Sequence, residues 1–137
     1  MLIGVPTEIK AQEFRVGMTP AGVRELKTSG HQILVQSGAG AGIGLTDELY
    51  QAAGAVVMDT AEEVFNDADM IIKVKEPQPH ECRLLNPQQI LFTYLHLAAD
   101  PDQAASLLDS GATCIAYETV TSVKGGLPLL APMSLVA

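Results

Sequence analysis

ILFTYLHLAADPDQAASLLDSGATCIAY, residues 90–117, reads as one strand–helix–strand unit. Ile90–Tyr94 is a near-continuous apolar run of the kind that fills a strand covered on both faces. Asp100 and Pro101 mark a helix start, with Asp at the cap and Pro at the first helical position. The helix runs towards Asp109 and is closed by Gly111, and Thr113–Tyr117 is a second β-rich run. Two strands joined through a covering helix are parallel neighbours, because a tight turn cannot reverse the chain between them.

The same alternation extends towards the amino terminus. Further strands are expected at Leu2–Val5, Gln32–Gln36, Ala55–Met58 and Met70–Val74. Thr19 caps a helix with Pro20 at its first position and Gly30 at its end, and Val23 and Leu26 face inward. Thr46 caps a segment that stops at Gly54, and Thr60 and Glu63 have capping-box spacing. Pro77–Glu81, which contains His80, reads as a polar loop. Strands alternating with helices at this spacing predict an α/β domain over residues 1–137, a doubly wound, mostly parallel sheet flanked by helices, Rossmann-like or flavodoxin-like.

Composition bounds the partners. The 137 residues are 47% apolar, enough for one domain with a real core. Eight basic against sixteen acidic residues give a net charge of −8, the wrong sign for neutralising phosphates along a nucleic acid. Glu8, Lys10, Glu13 and Arg15 interrupt any signal-peptide core, and no run reaches the ~20 apolar residues of a membrane span. A cytoplasmic protein is expected. Cys82 and Cys114 have neither CxxC nor metal spacing, so both read as free thiols and no metal site is expected.

In sheets of this kind ligands bind beyond the carboxyl ends of the strands. Four charged or titratable residues fall on that rim: Arg15 after the first strand, Lys75 after Met70–Val74, His96 after Ile90–Tyr94 and Glu118 after Thr113–Tyr117. Arg15 is either a surface or salt-bridge residue or a fork for a substrate carboxylate. In IIKVKEP, Lys73 and Lys75 point to the same side if the strand continues that far, and one of them is free to be merely solvated. Lys75 is the better candidate because it stands at the strand end beside Glu76 and Pro77. His96 is either a structural histidine or a group that exchanges protons near neutral pH. Glu118 reads as a charge-pair partner near the cleft. His31 and His80 have no strand-end setting and read as structural or exposed.

GAGAGIG, Gly38–Gly44, follows a strand and precedes a helix but fails the dinucleotide fingerprint. From Gly38 the third glycine of GxGxxG falls on Ile43, and from Gly40 it falls on Leu45. A tight turn needing positive φ is the preferred reading.

GVPTEIK, EFRVGMTPAGV, SGAGAGIG, IIKVKEP, LFTYLHLAAD, IAYETV and LPLLAPMS stand in the order found in bacterial alanine dehydrogenases, and the chain resembles the amino-terminal part of that family over essentially its whole length. The resemblance implies an α/β substrate domain and NAD-linked reversible oxidative deamination of L-alanine to pyruvate and ammonium. It implies that Arg15 and Lys75 bind the carboxylate and oxo group, that His96 is the catalytic proton donor or acceptor, and that Ser134 contacts the cofactor. It also implies a homo-oligomer, a hexamer in the full-length family.

The family continues from APMS through a Glu into a long helix and a dinucleotide-binding domain, which also supplies a catalytic aspartate, whereas this chain stops at Ala137. Leu127–Ala137 reads as a cut apolar end, with NAD held mainly by the absent domain and the fragment inactive alone. Two other readings stay open. One is the nucleotide-binding subunit of a transhydrogenase, which has no need of an acid–base histidine in TYLHLAAD. The other is a non-catalytic domain that associates through its apolar tail.

Overall fold

The computed structural model describes residues 1–132. Six strands form one all-parallel sheet: β1 (Leu2–Val5), β2 (Gln32–Gln36), β3 (Val56–Met58), β4 (Met70–Ile72), β5 (Ile90–Thr93) and β6 (Thr113–Ala116), in spatial order β3-β2-β1-β4-β5-β6. That is the Rossmann order rather than the flavodoxin order, and it reverses between β1 and β4.

Each crossover carries a helix: α1 (Pro20–Thr28), α2 (Asp47–Ala53), α3 (Ala61–Asp67), α4 (Pro79–Leu84) and α5 (Pro101–Ser110). The starts follow local chemistry. Thr19, Thr46, Thr60 and Asp100 each accept a backbone N–H from the first turn of their helix. Gly54 and Gly111 end α2 and α5 in the left-handed region.

The strands are apolar because both faces are covered. Ile3, Val5, Ile33 and Val35 pack with Val23 of α1 and Tyr50 and Ala53 of α2. On the opposite face Ile71 and Leu91 pack with Val64 and Phe65 of α3, Cys82 of α4 and Leu107 of α5. Gly4 sits where α3 crosses β1, so closely that a Cβ there would meet Val64 Cγ1 at 2.7 Å and Ala68 Cβ at 2.8 Å. No helix among the described residues is long and apolar enough to cross a membrane.

One expectation is corrected. The segment read as a polar loop around His80 is the start of α4: Pro79 opens the helix and Glu81 Oε1 accepts the Gln78 N–H at 2.9 Å. No apolar periodicity announces so short a helix. Cys82 and Cys114 are free thiols, as expected, one buried and one half-buried.

Candidate active site

The strand order sets the loops after β1, β4, β5 and β6 side by side on the carboxyl-end rim. Arg15 and Glu13 stand on the long β1–α1 connection. Glu13 accepts from Arg15 Nε at 2.9 Å and from Nη2 at 2.6 Å, and its Oε2 also accepts the Arg15 backbone N–H at 3.0 Å. The hydrogen bonds from Arg15, and the nearby charge of Lys75, pull the Glu13 carboxyl down to about 2. The guanidinium is 54% exposed and the carboxylate 6%, so the arginine has a free edge turned outward.

Beside this pair lies a cleft of about 320 Å³ lined by Glu8, Glu13, Phe14, Arg15, Gly38 and Gly42. The glycine-rich turn forms its wall for a steric reason. Gly38 and Gly44 have φ of 80° and 81°, and a Cβ on Gly42 would stand 2.9 Å from Phe14 Cβ. Positive φ at Gly38 and Gly44 makes the tight turn that was expected, and the missing Cβ of Gly42 lets the Arg15 loop approach.

Lys75 is half-buried, and its ammonium stands 5.9 Å from the centroid of the Tyr94 ring. The Tyr94 ring is stacked on His96, with centroids 5.7 Å apart and planes 18° apart, and the Tyr94 hydroxyl is 3.3 Å from His96 Nδ1. His96 is exposed and has φ 49° and ψ 44°, left-handed for a residue with a Cβ. Arg15, Lys75 and His96 therefore lie along one rim, linked through Glu13 and Tyr94. Ser134 lies outside the described residues.

Lys73 is not solvated. Its ammonium is buried between Glu8 Oε2 at 3.0 Å and Glu81 Oε2 at 3.1 Å, each of the three side chains at most 2% exposed. A lysine there is tolerable because carboxylates surround it. Burial raises the Glu81 carboxyl above its usual value despite the lysine. Glu8 also accepts the Val74 N–H at 3.1 Å and the Lys75 N–H at 2.9 Å. These two donors are taken by a side chain, and β4 ends at Ile72 rather than Val74.

Neither Glu8 nor Glu13 stood among the sequence candidates. The signal that could have found Glu8 is Lys73 itself, a charge inside an apolar strand that demands a buried counter-charge. Glu118, on the turn after β6, accepts the Leu95 N–H from both oxygens at 3.1 and 3.2 Å. Its partner is backbone, not a charge. His80 is exposed and lies 3.1 Å from Glu62, and His31 is half-buried.

A nicotinamide dinucleotide does not fit the described residues. In folds with this strand order the pyrophosphate sits at the amino terminus of the helix after β1, reached by a short glycine-rich turn. Here that connection runs from Pro6 to Thr19 with Gly17 as its one glycine, α1 opens on Pro20, which has no N–H to give, and the Glu8 carboxylate stands in the crevice beside it.

A family model described as "Alanine dehydrogenase/PNT, N-terminal domain" matches residues 4–137. Alanine dehydrogenases from Halomonas elongata and Mycobacterium tuberculosis are each 56% identical over all 137 residues, and that from Bacillus subtilis is 52% identical. The chain spans little more than a third of the length of these relatives: 37%, 37% and 36%. A solved structure described as L-alanine dehydrogenase superposes on the whole chain and on 38% of its own, with a TM-score of 0.95 and 49% identity. A transhydrogenase from Sinorhizobium meliloti superposes on 86% of the chain and 35% of its own, with a TM-score of 0.81 and 27% identity.

Proposed function

The chain belongs to the alanine dehydrogenase/PNT N-terminal domain family, and from that membership we propose that residues 1–137 are the substrate domain of a cytoplasmic, NAD-dependent L-alanine dehydrogenase, which interconverts L-alanine with pyruvate and ammonium. The observation that carries the reading is the row Arg15, Lys75, Tyr94, His96 on one rim, with the free edge of the arginine turned outward.

The roles follow from the donors. The outer edge of Arg15 takes the substrate carboxylate through two parallel hydrogen bonds, and the Lys75 ammonium takes the α-oxo oxygen. Fixing both ends of so small a molecule sets its α-carbon in one place; positioning of this kind can be worth ~7 kcal/mol or more. In the deaminating direction water adds to the imine. His96 accepts a proton from that water as it adds, returns it to the amine, and then takes the hydroxyl proton as the C–N bond of the carbinolamine breaks to give pyruvate and ammonia. The hydride partner for the α-carbon is assigned to the remainder of the enzyme, with Ser134 as a contact to it. A hexamer is the proposed assembly.

NADH-linked amination of pyruvate by the intact enzyme tests the reading. His96→Ala should lower turnover by roughly a hundred- to ten-thousandfold and leave the KM for pyruvate nearly unchanged. Near-normal turnover removes His96 from the chemistry. The transhydrogenase reading draws on the structural likeness at 27% identity. It is favoured if the intact protein passes hydride between nucleotides and does not aminate pyruvate.

A further inference from the structure

We propose that Glu118 and Gln103 are positioning residues that hold the two peptide groups flanking Leu95, one by its N–H and the other by its carbonyl, and thereby fix His96 in its left-handed turn. The inference rests on the reading of His96 as the proton carrier.

His96 and Gln12 are the two non-glycine residues with positive φ among the described residues. A residue with a Cβ stays in that region only where its surroundings over-determine it, and such residues gather at functional sites. The His96 ring does not supply the constraint. It is exposed, and its side-chain contact is the Tyr94 hydroxyl at 3.3 Å. The constraint lies one residue earlier.

Leu95 is buried, 2% exposed, so its side chain is anchored in the core beneath α5. β5 ends at Thr93, and the next N–H, of Tyr94, still finds the Val74 carbonyl at 3.2 Å. The Leu95 N–H has passed the end of the ladder, and both oxygens of Glu118 receive it. On the other side the Leu95 carbonyl accepts from Gln103 Nε2 at 3.1 Å.

Both holders come from stiff supports. Gln103 sits in the first turn of α5, where its own N–H donates to the capping Asp100 carboxylate at 3.1 Å. Glu118 follows Tyr117, whose hydroxyl donates to the Lys73 carbonyl at 2.6 Å and whose ring packs edge-on against Phe92 at 4.4 Å. Gln103 Oε1 is buried with no partner. A side chain kept there despite an orphaned acceptor is kept for its amide donor, and that donor goes to Leu95. With the Tyr94–Leu95 peptide held at its N–H and the Leu95–His96 peptide held at its carbonyl, the direction in which the chain enters His96 is fixed, and so is the point on the rim to which the imidazole is delivered.

The test uses the intact enzyme, with turnover normalised to folded protein. Glu118→Ala should lower kcat for pyruvate amination on the order of a hundredfold, the scale of a misplaced reacting group, while the KM for pyruvate stays near its parental value. Glu118→Gln keeps one oxygen for the Leu95 N–H and should restore most of that turnover. Gln103→Leu should reproduce the Glu118→Ala loss. If Glu118→Ala does not fold, Glu118→Asp decides: its shorter arm withdraws the acceptor and should lower kcat below that of Glu118→Gln. Parental kcat in Glu118→Ala or Glu118→Asp, or a rise in KM with kcat unchanged, overturns the inference. His96→Ala is the separate control. If it keeps parental turnover, the reading of His96 fails; if it is inactive while Glu118→Ala is fully active, only the positioning proposal fails.

Discussion

Glu13 holds Arg15 by one edge of its guanidinium, Nε and Nη2, through two hydrogen bonds of 2.9 and 2.6 Å. A guanidinium has a second edge, and this pairing leaves it to an incoming anion. The neighbouring acid is therefore an orienting group rather than a competitor.

Glu13→Ala should raise the KM for pyruvate about tenfold, the equivalent of one charge-assisted hydrogen bond, with kcat little altered. Steady-state kinetics of the intact enzyme decide it, and a fall in KM would mean that the carboxylate competes with substrate. Arg15→Lys keeps the charge but has no fork, so it should also weaken pyruvate binding.

The same pair predicts an acid dependence. The Glu13 carboxyl lies at about 2 in the fold against an ordinary 4.5. A lowered carboxyl contributes stability that is fully present above about 4.5 and is lost as pH falls towards 2. Thermal melts across that window should show Glu13→Gln losing less stability on acidification than the parent; parallel curves would remove Glu13 from the acid transition.

Lys73 stands between Glu8 and Glu81 with almost no solvent. Lys73→Ala leaves two buried carboxylates without their shared cation and should cost about 3–5 kcal/mol in denaturant unfolding. Glu81→Gln should be far milder, because its amide oxygen still receives the Gln78 N–H and one carboxylate remains for the lysine. Equal losses for the two variants would refute the assignment of Lys73 as the keystone charge.

Gly4→Ala places a methyl group against Val64 and Ala68 at distances no relaxed contact allows. Overpacking at such a site costs about 1–3 kcal/mol. A melting temperature unchanged from the parent would show that α3 can retreat from β1.

How much of this was readable in advance differs from element to element. β1 and β2 have the boundaries their apolar runs announce, and α1 and α5 begin at Pro20 and Pro101 because cap and proline chemistry is local. The rim placement of Arg15, Lys75 and His96 followed from strand ends alone. What local pattern could not carry was the end of β4, since Val74 and Lys75 donate to Glu8, a residue sixty-six and sixty-seven positions away in sequence. Strand alternation put Lys73 and Lys75 on one side, and the strand end already favoured Lys75 as the rim cation. That Lys73 is a core cation rather than a solvated one shows only in the tertiary arrangement of Glu8 and Glu81. Glu118 was read as a charge partner because its type suggests one, and the Leu95 peptide it holds is invisible in a linear string.

The acid lodged where the strand order reverses makes this sheet self-liganded. A doubly wound domain that carries its own anion at that spot keeps the shape of a nucleotide fold while having surrendered the vacancy. An incoming phosphate would meet a like charge at Glu8 instead of open backbone donors.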